Sequence, residues 1–199
     1  MKQLAQNVDG FVLSHLGQLD FLHELEDASH LSLIANHTFN TFNTYTIEEL
    51  SHLGFSKVIL SPELTKNQIN ALGGNIEREI VAYGNICVMT SEYCPVGTIS
   101  GNFSSHSGCT MPCTKGGKYY LRDRLNMDFR VLPDNIDCQS QIFNAKITSI
   151  ETNDLNIDSI RIDVIDEDVT SLQEIIDTHK YGKKLSGEQY TNGHINRPV

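Results

Sequence analysis

The sequence has no long apolar run, and its basic residues are few. No segment approaches the roughly 18 apolar residues of a membrane-spanning helix, and residues 1–15 lack the basic start and apolar core of a secretory signal. We therefore expect a cytoplasmic protein without a membrane anchor. The 15 basic residues against 25 acidic ones leave a net charge of −10, which argues against a general nucleic-acid coat protein.

The chain is also short for a closed barrel of eight strand–helix units. Such a barrel takes about 250 residues and rarely fewer than about 200, whereas this chain has 199, some of them in a cysteine-rich insert and a tail. Hydrophobic residues make up 39% of the composition, so a packed core is feasible. The length indicates one domain with at most a small appendage.

Four short apolar runs recur through the first ninety residues at intervals of 22, 25 and 22 residues: Phe11-Val12-Leu13, Leu33-Ile34-Ala35, Val58-Ile59-Leu60 and Ile80-Val81-Ala82. Continuous runs are typical of parallel strands buried on both faces. Between them, Thr46-x-x-Glu49 and Thr65-x-x-Gln68 fit the capping box that begins a helix. The order predicts an α/β fold of about four parallel strand–helix units, with an open doubly wound sheet as the alternative.

Polar residues follow each predicted strand, at the edge where parallel α/β folds bind ligands. For any one of them alone, a turn, a cap or a surface polar group is the commoner explanation. As a set they are candidate pocket residues by position: Ser14, His15, His37, Thr38, Asn40, Asn43, Ser61, Glu63 and Tyr83.

All five cysteines fall within one window of 52 residues, spaced Cys87-x6-Cys94-x14-Cys109-x3-Cys113-x24-Cys138. Disulfides are disfavoured, because the sequence has no export signal and reducing compartments keep thiols free. Four thiolates suit structural zinc or an iron–sulfur cluster. Spacing alone leaves those two equal, with inert buried thiols a weaker third. The nearby His106 is either a further ligand or, more simply, a loop histidine.

A basic segment follows the cysteine-rich loop. Residues 118–132 predict a β-hairpin that turns near Leu125-Asn126, and residues 115–130 carry five of the 15 basic residues with two interleaved tyrosines. Such a pattern suits an anionic ligand or an RNA segment. A solvated hairpin with internal ion pairs explains the same residues.

Residues 151–177 form an acidic tail with nine acids and one base, Arg161. The alternation over residues 159–165 predicts a strand, and the apolar spacing from Val169 predicts a helix capped near Thr170 or Ser171. Asp166-Glu167-Asp168 is read as a solvated turn. The chain thus divides into strand–helix units over 1–90, a cysteine-rich metal-binding loop and hairpin over 91–140, and an acidic α+β tail over 141–199.

Five blocks, in sequence order, resemble the collagenase-like peptidase family. The segment that begins Tyr83-Gly84-Asn85-Ile86 and continues through 88–97 resembles the family signature. Residues 39–43 and 60–64 resemble its "LNVFN" and "LSPEL" blocks, residues 120–124 with Cys138 resemble "YxLKDR…C", and residues 191–194 with Arg197 resemble its "TxGH" ending. The resemblance therefore covers most of the chain.

The resemblance implies a TIM-like (β/α) barrel, of which residues 1–90 would form the carboxyl-terminal half. It also implies a 4Fe-4S cluster, with zinc as the alternative, on Cys94, Cys109, Cys113 and Cys138. Cys87 is then the spare cysteine. Tyr83 stands where the hydroxylation branch of the family has histidine, so a histidine-dependent role does not carry over.

Three functions follow from the resemblance. A peptidase acting on peptides rests on resemblance alone, because the sequence holds no G-x-S-x-G and no H-E-x-x-H. An iron–sulfur protein for hydroxylation of RNA or a quinone precursor fits the cysteines better. The third is a non-catalytic fragment or subunit, completed by a homodimer or a partner chain that supplies the missing barrel half. The candidate catalytic residues are Glu63, Tyr83, Arg122 and Asp123.

Overall fold

The computed structural model of the protein describes residues 5–24, 30–104 and 108–198, which form two compact units. The first unit contains the chain up to Tyr83, Ser149–Leu185 and the residues from Asn192 onward. The second unit contains Gly84–Thr148 and Ser186–Thr191. The acidic residues 151–177 thus belong to the first unit, whereas the rest of the tail over 141–199 is divided between the two units.

The first unit is a mixed α/β structure on a parallel sheet, and this class was expected from the apolar runs. Strands β1 (Gly10–Leu13), β2 (Ser32–Ala35), β3 (Lys57–Ile59) and β4 (Glu77–Gly84) pair in chain order, each parallel to the next. Strand β10 (Ser159–Ile162) also runs parallel to β4. Among the described residues β1 pairs with β2 alone, so the sheet is open at β1.

Helices α1 (Gly17–His23), α2 (Thr44–His52), α3 (Lys66–Ala71) and α5 (Val169–Lys180) belong to this unit. The capping box at Thr65 is confirmed, because the Thr65 and Gln68 side chains each accept the other's backbone N–H. In the described part of the chain, no helix combines the length and the apolar character that crossing a membrane requires.

Two of the predicted caps are wrong. Helix α2 begins at Thr44, and Asn43 Oδ1 accepts the Thr46 N–H at 2.9 Å, so Thr46 lies inside the first turn. Helix α5 is capped by Asp168, whose carboxylate accepts the Ser171 N–H at 2.8 Å. That bond lowers the pKa of Asp168. In both cases an Asn or Asp oxygen two or three residues earlier satisfies a backbone donor of the first turn.

The two faces of the parallel sheet differ in polarity, because successive side chains of a strand point to opposite sides. One face packs against the helices in a single apolar cluster that includes Leu13, Ala35, Val58, Leu60 and Ile80. The other face carries charge in mid-sheet: Lys57 Nζ lies 3.1 Å from Ser159 Oγ and 3.5 Å from Glu79 Oε2. The expected burial on both faces therefore holds only in part.

The second unit contains a four-stranded antiparallel sheet. Its strands are β5 (Cys87–Ser91), β6 (Tyr119–Arg122), β7 (Asp128–Pro133) and β8 (Ser140–Phe143), in the spatial order β5-β8-β7-β6. Strands β6 and β7 form the predicted hairpin. Helix α4 (Pro95–Ser100) follows β5, and β9 (Ile147–Ser149) pairs in parallel with β11 (Tyr190–Thr191).

Candidate functional site

Four of the five cysteines come from segments at one end of the antiparallel sheet. Strand β5 ends three residues before Cys94, and its last residue, Ser91, pairs with Ser140, which begins β8 two residues after Cys138. Strand β6 begins at this same end, six residues after Cys113. The strand register thus brings the segments that carry these four cysteines to the same end of the sheet: Cys94, Cys109, Cys113 and Cys138.

The side chains of Cys94 and Cys109 both lie beside Gly97. A Cβ placed on Gly97 would lie 3.3 Å from Cys109 Sγ and 3.6 Å from Cys94 Sγ, so the two sulfurs are at most about 7 Å apart. A Cβ on Gly101 would lie only 2.7 Å from Cys109 Sγ, closer than side chains pack. The absence of a side chain at these two glycines makes room for the sulfurs.

Each of these two sulfurs accepts a backbone hydrogen bond. The Gly97 N–H donates to Cys94 Sγ at 3.2 Å, and the Met111 N–H donates to Cys109 Sγ at 3.3 Å. Met111 and Cys138 have φ angles of 51° and 55°, in the left-handed region that non-glycine residues rarely adopt. Backbone held in this region is typical of ligand-binding loops.

Cys113 lies in a short 3-10 turn over Pro112–Lys115, directly after Met111. Tyr119 Oη donates to the Pro112 carbonyl at 3.0 Å and so ties this turn to the start of β6. Cys138 is exposed, and the other four cysteines are partly exposed free thiols.

The donor set fits a metal centre by its chemistry. Four thiols, two of them with an amide N–H directed at the sulfur, suit an iron–sulfur cluster, and four thiolates also suit zinc. Among the described residues, no group of three or more His, Cys, Asp or Glu side chains is drawn together closely enough to hold a metal ion as it stands. His106 lies outside the described residues.

Cys87 lies at the opposite end of the same sheet. It begins β5 and pairs with Phe143, the last residue of β8. Its thiol donates to the Met89 carbonyl at 3.4 Å and lies 3.8 Å from Thr90 Oγ1. The structure therefore separates Cys87 from the other four.

Tyr83 is buried, with 2% of its surface exposed. Its hydroxyl donates to Glu167 Oε1 at 3.0 Å, and its ring meets the edge of His179 at a centroid distance of 5.6 Å. Glu167 also accepts the backbone N–H groups of Ile165 and Asp166. The acidic turn that the sequence analysis took as solvated thus supplies a partner to a buried phenol.

A buried serine–histidine pair adjoins Tyr83. Ser149 Oγ lies 3.1 Å from His179 Nε2, and the other ring nitrogen lies 2.9 Å from the Ile175 carbonyl. Ser149 Oγ also accepts the Leu185 N–H at 2.8 Å. At 1% and 2% exposure, neither side chain is open to a substrate, so the pair joins Ser149 to α5 within the first unit rather than forming an accessible nucleophile.

The remaining catalytic candidates have surface positions. Glu63 is exposed in the loop after β3. Arg122 forms a two-pronged ion pair with Asp128, at 2.6 and 2.7 Å, which lowers the pKa of Asp128. Asp123 Oδ1 accepts the N–H groups of Leu125 and Met127 and so closes the hairpin turn. Arg122 and Asp123 are thus engaged within their own hairpin.

Sequence reasoning missed one polar group in the first unit. Arg161 Nε donates to Asp163 Oδ1, and Arg161 Nη1 donates to Asn36 Oδ1 at 3.3 Å. Asn36 Nδ2 in turn donates to Ser14 Oγ at 3.2 Å. Burial, reinforced by the charge of Arg161, lowers the pKa of the neighbouring His37. The signal available in the sequence was Arg161 itself, the single base among nine acids.

Similarity to known proteins agrees with the resemblance found in the sequence. An uncharacterized protease of Methanocaldococcus jannaschii is 30% identical over 122 residues, which cover 57% of this chain and 29% of that protein. The chain thus spans less than a third of this relative's length. No solved structure matches the chain. The match to peptidase family U32 extends over residues 1–184, and the chain belongs to that family.

Proposed function

We propose that this chain is the cluster-binding part of a U32 protein, with Cys94, Cys109, Cys113 and Cys138 holding a 4Fe-4S cluster. The observation that carries the proposal is that the sulfurs of Cys94 and Cys109 both lie beside Gly97, each with a backbone N–H directed at it. The gathering of the other two cysteine segments at the same sheet end supports it.

When bound, such a cluster supplies one-electron transfer. The four cysteines would bind the irons of the cluster. The amides of Gly97 and Met111 would stabilise negative charge on the sulfurs of Cys94 and Cys109. Gly97 and Gly101 leave space beside these sulfurs because they carry no side chain. Hydrogen bonds of this kind raise the reduction potential of a cluster, because they favour its more reduced and more negative state.

Iron and sulfide analysis after anaerobic purification tests the cluster. We expect a brown protein with about four iron and four sulfide per chain. Serine replacement of Cys94, Cys109, Cys113 or Cys138 should remove most of both, whereas Cys87→Ser, the matched control, should retain them. A colourless protein with one zinc per chain and no sulfide would instead establish the zinc site.

The reaction we propose for the loaded protein is hydroxylation of RNA or of a quinone precursor, with RNA favoured by the hairpin. Because inserting oxygen into a C–H bond is a two-electron oxidation, an oxygen-atom donor brought by another molecule or a partner protein is the required co-substrate. Tyr120 is half-exposed on β6, and Arg130 lies over its ring at 5.5 Å, on the same sheet face as Arg122. A half-exposed aromatic ring on a basic hairpin suits a stacked base.

Peptidase activity is the second candidate, supported by the family and by the name of the relative. Hydrolysis of casein or denatured collagen tests it. Activity that survives in Cys94→Ala and Cys113→Ala would establish a cluster-independent peptidase. Loss of activity together with the iron would instead tie hydrolysis to the cluster.

We also propose that the parallel sheet is part of a (β/α) barrel. Strands β2 and β10 are three places apart, about 14 Å in a flat sheet, yet Arg161 Nη1 reaches Asn36 Oδ1 at 3.3 Å. This contact is expected of a sheet that curves toward closure. Further strands, from a second copy or a partner chain, would complete it at β1.

A further inference from the structure

The polar group at the carboxyl ends of β1, β2 and β10 lies where parallel sheets bind ligands. Ser14 and Asn36 directly follow β1 and β2, and Asp163 directly follows β10. The two bonds that join Ser14 to Asn36 and Asn36 to Arg161 show that the three strand ends meet. All of these residues belong to the first unit, whereas the five cysteines belong to the second.

Hydrogen-bond donors are in surplus in this group. Of the five N–H donors of the Arg161 guanidinium, one is directed at Asp163 and one at Asn36. The amide of Asn36 uses one N–H on Ser14, and its oxygen already accepts from Arg161 and from the His37 N–H. Among the described residues, three guanidinium N–H groups, one amide N–H and the Ser14 hydroxyl proton therefore remain for an acceptor.

An unpartnered buried atom adjoins the same group. His37 Nδ1 is buried and makes no hydrogen bond to any described residue, although buried polar atoms are almost always paired. Its backbone N–H donates to Asn36 Oδ1 at 2.9 Å. Desolvation and the nearby guanidinium lower the pKa of His37, which favours the neutral ring, in which one nitrogen donates and the other accepts.

The side chains that surround Arg161 leave the group without excess negative charge. Asp163 balances the charge of Arg161 through one carboxylate oxygen, and its side chain and that of Arg161 are each about one-third exposed. Thr38 is turned into the same edge, where its hydroxyl donates to the Ser14 carbonyl at 2.7 Å. The edge thus offers donors, one fixed guanidinium and partial access to solvent.

From this geometry we infer a second site, independent of the cysteine cluster, in which Arg161, Asn36 and Ser14 bind an oxyanion group of a small molecule. A carboxylate or a phosphate supplies the acceptor oxygens that the surplus donors lack. Arginine forks match both groups in two-pronged geometry. The inference does not rest on the cluster, and it holds for any reaction at the cysteines.

Titration of the full chain with succinate and, separately, with inorganic phosphate tests the site. Calorimetry and the imidazole proton signals of the histidines are the readouts. We expect saturable binding of at least one anion, with a shifted His37 signal, and a loss of affinity of at least about tenfold in Arg161→Gln. Preference between the two anions separates a carboxylate ligand from a phosphate ligand.

Two further variants keep the test decisive. Ser14→Ala, at an exposed position, should weaken binding several-fold even if Arg161→Gln fails to fold. Lys66→Gln is the matched control, because Lys66 is another base of the first unit, paired with Asp154 at 2.8 Å. Any one of three results would overturn the inference. The first is no saturable binding of either anion, the second is the same affinity in Ser14→Ala as in the wild type, and the third is the same loss of affinity in Lys66→Gln as in Arg161→Gln.

Discussion

At the scale of single residues, two glycines determine whether the cysteine loop can close. A Cβ on Gly101 would lie 2.7 Å from Cys109 Sγ and 2.6 Å from the Gly97 carbonyl. The backbone of Gly101 has a φ of −100°, which any residue can adopt. The requirement for glycine is therefore one of space beside sulfur and not of backbone conformation.

Replacement of Gly101 by alanine tests this requirement. We expect at least several-fold less bound iron in Gly101→Ala, because overpacking of about 1–3 kcal/mol falls on the Cys109 side chain. Gly108→Ala is the control, since no atom lies within 4 Å of its Cβ position and its φ is not left-handed. Iron analysis of both variants makes the comparison, and equal iron contents would contradict the role of Gly101.

His37 makes stability depend on pH. Burial first, and then Arg161, lower the pKa of His37 below 6.5 in the folded protein. Between the lowered and the ordinary pKa the unfolded chain binds more protons, so this contribution to stability is present above about pH 6.5 and is lost as the pH falls. We expect His37→Asn to lose less stability than the wild type between about pH 7.5 and about pH 5.5.

Urea denaturation at the two pH values measures this difference. The quantity compared is the change in unfolding free energy between them, in the wild type and in His37→Asn. The same change in both proteins would show that His37 does not contribute to the pH dependence.

At the scale of elements, the caps decide where helices begin. Asn43→Ala should lower the unfolding free energy by about 0.5–2 kcal/mol, the usual cost of losing an N-cap, because it removes the acceptor of the Thr46 N–H. Thr46→Ala is the matched control and should change stability by no more than about 0.5 kcal/mol. Thermal or urea unfolding measures the stability of both variants. A larger loss of unfolding free energy in Thr46→Ala than in Asn43→Ala would show that Thr46 is the N-cap, as the sequence predicted.

The sequence pattern predicted the positions of the strands better than it predicted which residues cap the helices. The apolar runs predicted β1–β4 and their parallel order, because strands packed between layers carry continuous apolar residues. The capping-box spacing at Thr65 was confirmed, but at Thr46 the same spacing began within the first turn of the helix. Spacing alone cannot show whether Asn43 or Thr46 is the N-cap of the helix, since each precedes a backbone N–H that its side chain could accept. The path of the chain before the helix decides which residue takes that role.

At the scale of the whole molecule, β1 is the exposed end of the parallel sheet. Val12 in its middle is half-exposed, and among the described residues β1 has a strand partner on one side only. Unpaired strand edges favour association with another chain. That a second copy or a partner chain covers this edge stays a prediction.

Light scattering after size-exclusion chromatography tests self-association through β1. We expect the wild type to form a dimer, and Val12→Lys to shift it toward monomer, because a charge on an edge strand opposes pairing. Val169→Lys, at an exposed valine of α5, should leave the dimer intact. A monomeric wild type would refute pairing between copies and leave a different partner chain for this edge.

The sequence by itself determined the strand–helix repeat, the hairpin, the family and the grouping of the cysteines in one segment, because these depend on local patterns and short spacings. Only the tertiary structure decided that Cys87 lies at the far end of the sheet, that Tyr83 is buried against Glu167, and that Arg161 bonds Asn36, which in turn bonds Ser14. The Tyr83–Glu167 and Arg161–Asn36 contacts join residues more than 80 positions apart, and strand register and sheet curvature fix such contacts. Local composition does not encode either of them.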